Sequence, residues 1–218
     1  FGILATWERD KAVAAWCRAR GVRYREHRQS GAMRGLTSRD TWSQQRMKLF
    51  SQQLLGAPLA IRGTDVAPGP IPQLRDLGIA AEPMVYRQRG GETAGREVLR
   101  TWLNERVEGY ERHLSSPVTG WDGCSRLSVH LALGTVSARE VHTRVQAHKG
   151  EPGSPRFSLG AFEERIAWRD HFAQKLEDAP RIEHSSLHPA FDNLRPTTAN
   201  PEALEALTQG QTGYPMVD

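Results

Sequence analysis

A chain of 218 residues with 38% hydrophobic side chains, a net charge of +4 and a pI near 9.4 can bury a real core and is not a disordered tail. Cys17 and Cys124 lie far apart with no CxxC pair, which argues against a disulfide scaffold or a cysteine zinc site, and no run of apolar residues reaches membrane-spanning length. Of the 29 basic residues 25 are Arg, a usage that suits phosphate-bearing partners and is equally what a GC-rich genome produces.

The chain opens at Phe1 without Met and stops at Asp218 just after a turn-forming segment, as a piece of something longer would. From Glu8 to Arg20, Ala12, Val13, Trp16 and Cys17 fall at helical spacing, with Gly21 as the stop. Val22–Glu26 alternates apolar and polar residues, which predicts a half-buried strand and, with the helix before it, an α/β layer. The Arg23, Arg25 and Arg28 run reads as its solvated edge. A second helix is expected over Asp40–Leu55, with Trp42, Met47, Phe50 and Leu54 turned inward and Gly56 and Pro58 closing it.

Between Gly56 and Gly91 the chain carries Pro58, Pro68, Pro70, Pro72 and Pro83, a composition that sustains neither long helices nor central strands and predicts a linker. Beyond it everything reads as helix. Val98, Leu99, Trp102, Leu103, Val107, Tyr110 and Leu114 make one apolar stripe, and Ser137-Ala138-Arg139-Glu140 is a capping box ahead of Val141 and Val145. Gly120-Trp121-Asp122-Gly123-Cys124-Ser125-Arg126-Leu127-Ser128 runs from a glycine-rich turn into an apolar helix ending near Gly134. The unpaired first amides of such a helix can hold a phosphate, although an ordinary Ser-capped helix shows the same pattern.

The interval Ser158–Leu176 is amphipathic. On it, Arg165, Trp168, Arg169 and Phe172 share one stripe of cations and rings able to stack on a base, while a core Trp with an Arg on a neighbouring carboxylate is the alternative. His184 and His188 stand four apart with His171 nearby, but Pro180 and Pro189 interrupt any helix face, so no metal site is expected. Ser185-Ser186 lacks the glycines of a nucleophile elbow. Asn200-Pro201 opens a final helix through Leu207.

Tyr110, the Cys124–Ser128 run, Trp168-Arg169-Asp170 and Thr212-Gly213-Tyr214-Pro215-Met216-Val217-Asp218, in that order, resemble the photolyase/cryptochrome family. The resemblance covers the chain well from about Gly91 onward and more weakly at Glu8-Arg9-Asp10. It implies a mainly α chain: the C-terminal edge of an α/β Rossmann-like antenna domain over residues 1–55, a linker over 56–90, and from 91 to 218 the N-terminal half of an all-helical FAD-binding domain.

The same resemblance implies that Tyr110, Cys124, Ser125, Arg126, Leu127 and Ser128 hold FAD, that Phe162 and Arg169 line the flavin cavity, and that Arg165 and Trp168 meet the lesion in DNA containing pyrimidine dimers. An antenna chromophore of unspecified chemistry and a cytoplasmic home go with it. No membrane, metal or obligate protein partner is implied. Three positions depart from the pattern: Arg165 stands where dimer-repair enzymes carry Glu, Leu207 where the family often has Trp, and Cys124 where it has Thr. The family's Asp-Gly-Asp segment falls after Asp218, so this chain alone is expected not to retain FAD tightly. A blue-light photoreceptor without repair activity and a non-catalytic nucleic-acid-binding remnant are the other readings.

Overall fold

The computed structural model describes residues 4–63, 65–80, 84–194 and 196–218, so Pro83 of the expected linker lies outside the described residues. All regular elements among them are helical. By contacts the chain divides into a larger unit, residues 25–174, and a smaller one made of residues 1–24 and 175–218.

In the smaller unit, α1 (Leu4–Ala19) packs on a single 3-10 turn, Pro180–Glu183, with the Leu4 amide donating to the Glu183 carboxylate and Trp7 Nε1 donating to Glu177 at 3.4 Å. Of the expected inward residues only Cys17 is buried; Val13 and Trp16 are 43% and 52% exposed. Val22–Glu26 is not a strand. Alternation alone does not make one: a strand needs a ladder partner for its N–H and C=O groups, and the described residues offer none. α9 (Pro201–Gln209) starts as expected, the Asn200 side chain accepting from the Glu202 and Ala203 amides. In Thr212–Asp218 the Asp218 carboxylate accepts from the Thr212 amide and hydroxyl and from the Gly213 amide, which closes the segment on itself and lowers the acid's pKa.

The larger unit holds α2 (Trp42–Phe50), α3 (Glu92–Thr101), α4 (Tyr110–His113), α5 (Gly120–Gly123), α6 (Ser128–Leu133), α7 (Ala138–Lys149) and α8 (Arg156–Asp178), the last four residues of α8 belonging to the smaller unit. α2 is shorter than expected, and the buried member of its second turn is Arg46 while Met47 is 44% exposed. The apolar stripe from Val98 to Leu114 is buried or half-buried throughout. It is not one helix, however. A π-helical turn, Trp102–Arg106, follows α3, and the break at Gly109 re-aims the chain before Tyr110. Trp102, Tyr110, Leu127, Leu131, Val141, Val145, Leu159, Phe162 and Ile166 form the core.

α8 is organised by a four-residue repeat: Ser158, Phe162, Ile166, Asp170 and Gln174 are all buried. Its polar members are satisfied by loops and by side chains of α2 and α4. Ser158 accepts from the Gly109 amide and donates to Glu111 at 2.7 Å; Gln174 accepts from the Met33 amide at 2.7 Å and donates to the Met33 carbonyl at 2.8 Å. Asp170 meets Arg46 at 2.6 Å. At α7 the Ser137 hydroxyl accepts from the Glu140 amide, but the Glu140 carboxylate bonds Arg96 and Arg144, so only half of the capping box forms.

Candidate functional site

Three rings centre the core of the larger unit. Trp102, Tyr110 and Phe162 pack with centroids 5.4 Å (Trp102–Tyr110), 4.3 Å (Trp102–Phe162) and 5.6 Å (Tyr110–Phe162) apart, in T-shaped or tilted arrangements that aromatic quadrupoles favour. Burial pushes the Tyr110 phenol up to about 12, the nearby Cys124 thiol adds to the rise, and the Arg165 guanidinium opposes it. Tyr110 is a core residue, 6% exposed, and is not among the residues that line the hollow at the Cys124–Ser128 turn.

The turn itself is held from two sides. Arg106, delivered by the π-helical turn, donates through Nη1 to the carbonyls of Asp122 and Cys124 at 3.1 and 2.9 Å, while Gln88 donates to the Arg126 carbonyl at 2.9 Å. Arg126 sits at φ 59°, the one non-glycine residue in the left-handed region among the described residues, with its guanidinium 3.8 Å from the Trp121 ring centroid. A bulky residue kept in that region costs about 1–2 kcal/mol, and such strain collects at ligand sites. Burial raises the Cys124 thiol, against the pull of Arg126 and Arg106.

The N-cap of α6 is Leu127, which makes no side-chain cap bond, so the ordinary Ser-capped helix does not form here. Ser125 instead accepts from the Leu127 amide at 3.4 Å. Gln88, Trp121, Ser125, Arg126 and Ser128 line a hollow of about 580 Å³ beside the turn.

On α8, Trp168 is 54% exposed and Phe172 55%, which overturns the core-Trp alternative. Arg165 lies over the Trp168 ring at 5.0 Å, and Phe172 meets Trp168 at 6.0 Å. The expected cation-and-ring face is thus present. Phe162 and Arg169 are not in the hollow at the turn. Phe162, 2% exposed, backs Tyr110 and borders a cleft of about 410 Å³ between α2, α7 and α8, while Arg169 donates to the Leu131 carbonyl at 3.2 Å and borders a third hollow. His171 packs edge-on to Trp42 and Phe172, and His188 Nδ1 accepts from the Ala190 amide.

Sequence reading missed Arg106 and Gln88 as parts of the turn, and gave Trp121, though within the turn segment, no role. Arg106 and Gln88 act over 16 to 38 positions along the chain, which no local pattern shows.

The family model described as the FAD binding domain of DNA photolyase matches residues 162–218. A deoxyribodipyrimidine photo-lyase of Streptomyces griseus is 36% identical over 168 residues, 72% of this chain and 34% of that protein. A cryptochrome DASH of Gloeobacter violaceus is 33% identical over 162 residues, 70% of this chain and 31% of that protein. The chain belongs to the photolyase/cryptochrome family. Among solved members, a bacterial class III photolyase from Agrobacterium tumefaciens superposes with a TM-score of 0.52 at 28% identity, covering 58% of this chain and 25% of that one. The chain spans about a third of the length of the curated photolyase and cryptochrome relatives it matches. The matched residues 162–218 include Arg165, Trp168, Arg169 and the Thr212–Asp218 segment. No helix among the described residues is long and apolar enough to cross a membrane.

Proposed function

We propose that this chain is part of a photolyase-type flavoprotein that repairs pyrimidine dimers in DNA with light, using FAD. The observation that carries the reading is the hollow at the Cys124–Ser128 turn, lined by Ser125, Arg126 and Ser128; Tyr110 packs on Phe162 in the core. The residues fit a dinucleotide. The hollow at the turn lies within the usual range of about 300–1,000 Å³ for ligand pockets, the first amides of α6 are not taken by a side-chain cap, and Ser125 and Ser128 add hydroxyls. When bound and reduced, flavin would supply an electron on blue-light excitation to the dimer and recover it after the ring splits.

The chain's own residues bind and orient. Arg106 and Gln88 hold the turn in shape, Ser125, Ser128 and the turn amides take the diphosphate, and Phe162 supports Tyr110 from behind. Trp168, with Arg165 over its face, offers the exposed ring on which an unstacked base can lie. Arg169 serves a different hollow. The same reading assigns residues 1–55 to the end of an antenna domain with its own chromophore, 56–90 to a linker and 91–218 to the flavin domain, in a cytoplasmic protein.

A photoreceptor is the second reading, favoured by one observation. Arg165, exposed above Trp168, is donor-only and cannot accept the hydrogen bonds that a Glu offers a lesion. Blue light given to the flavin-loaded protein with ultraviolet-damaged oligothymidine separates the two. Light-dependent loss of dimers supports repair; photoreduction of the flavin with no loss of dimers supports the photoreceptor.

A further inference from the structure

The third hollow, about 240 Å³, lies wholly within the larger unit, between residues 28–30, the end of α2, the first turn of α7 and α8 at Arg169. Three guanidinium groups line it, Arg28, Arg139 and Arg169, and no carboxylate does among the described lining residues. Leu49, Phe50, Leu131 and Val136 supply apolar walls, which lower the local dielectric and strengthen any charge interaction inside.

The local charge does not balance. Asp170 is fully buried and committed to Arg46 at 2.6 Å, yet it is also the carboxylate that touches Arg169 at 3.5 Å and acts on Arg28. One acid thus faces three guanidinium groups, and Arg139 adds a fourth at the rim. Cations held in a partly desolvated wall without a partner are costly; burial already lowers the pKa of Arg28. Each guanidinium has five N–H donors. The described bonds engage Nε and Nη2 of Arg28 on the Ala32 and Gly31 carbonyls, Nη1 and Nη2 of Arg169 on Asp170 and the Leu131 carbonyl, and Nη1 of Arg139 on Gln52. Donors remain on all three. The first turn of α7 adds Ser137 and Ala138 to the wall, with the positive end of a 12-residue helix behind them.

We propose that this hollow is a phosphate-binding pocket, distinct from the Cys124–Ser128 turn, that takes a phosphate dianion: inorganic phosphate or the terminal phosphate of a mononucleotide. Its volume falls below the usual range of about 300–1,000 Å³ for larger ligands, which excludes a dinucleotide. The proposal stands apart from the flavin reading, because its test uses the chain without flavin.

Calorimetric titration with sodium phosphate, against sodium chloride at matched ionic strength, reads it directly. Phosphate is expected to bind, Arg139→Gln to weaken binding about tenfold through loss of a charge-assisted bond, and Arg28→Gln with Arg139→Gln to abolish it. Arg144→Gln, outside the pocket, is expected to leave it unchanged. Adenosine monophosphate binding more tightly than phosphate, with the same arginine dependence, identifies a mononucleotide as the source; equal or weaker binding identifies free phosphate. Should Arg28→Gln fail to fold, Arg139→Gln decides alone, since Arg139 is only half-buried and its described side-chain bond is to Gln52. No heat beyond that of chloride, or affinity unchanged in Arg139→Gln, overturns the proposal.

Discussion

Arg46 Nε donates to Asp170 Oδ2 at 2.6 Å, joining α2 to α8 through a carboxylate with no exposure at all. Gly31 lies against the pair: a Cβ there would stand 2.5 Å from Asp170 Oδ2 and 2.7 Å from Arg46 Cγ. Loop, α2 and α8 thus meet at one buried charged contact, with Arg169 also within 3.5 Å of the same carboxylate. Removing one partner strands the other.

Asp170→Asn is expected to cost about 3–5 kcal/mol, because the buried Arg46 keeps its charge and loses its counter-ion. Replacing both together, Arg46→Met with Asp170→Leu, is expected to recover only part of that loss, because Arg169 and Arg28 lose the same carboxylate. Gly31→Ala is expected to cost about 1–3 kcal/mol by overpacking. Urea unfolding followed by circular dichroism measures all three.

Arg126 gives a test of backbone strain. Arg126→Gly relieves the left-handed φ but frees the unfolded chain and gives up the contact with Trp121, so its stability is expected to stay within about 1 kcal/mol of the parent. Arg126→Val, β-branched at a positive φ, is expected to lose more than that. Thermal unfolding of the two variants side by side reads the difference.

Glu163 sets an acid limb. Burial pushes its carboxyl up, but hydrogen bonds from His142, Lys149 and Gln146 outweigh burial and hold it at about 2. A carboxyl depressed in the folded state stabilises above its unfolded pKa, about 4.3, and that contribution is lost as pH falls from about 5 toward 2. Glu163→Gln is expected to flatten the dependence of the unfolding midpoint on pH across this window.

Trp168 is half-exposed, so Trp168→Ala is expected to change stability by no more than about 0.5 kcal/mol. Loss of a stacking platform worth about 1–3 kcal/mol is expected to weaken binding to ultraviolet-damaged DNA at least fivefold. Fluorescence anisotropy with damaged and undamaged oligonucleotides checks both the loss and its selectivity.

What was legible in the sequence was what repeats locally. The apolar stripe around Trp102 and Tyr110 and the Ser137 and Asn200 caps follow from spacing and side-chain chemistry alone, whereas the α8 stripe was legible but its exposure was not, a core Trp fitting the same spacing. The strand at Val22–Glu26 failed because alternation says which faces differ and nothing of a pairing partner. The burial of Asp170, Gln174 and Arg46 was not legible because polar residues count as surface in any pattern of hydrophobicity, and only the folded chain shows them closing the α8 stripe. The turn at Cys124–Ser128 was found by order of motifs, whereas Arg106 and Gln88, which hold it, come from distant segments.

Nuclear magnetic resonance of the ¹⁵N-labelled chain titrated with FAD tests the central claim most directly, since weak binding still moves amide signals. The largest shifts are expected at the amides of Ser125 to Val129 and at Tyr110, and they should shrink in Ser128→Ala. Shifts confined to other parts of the chain, with the Ser125–Val129 amides unmoved at saturating FAD, would contradict the account.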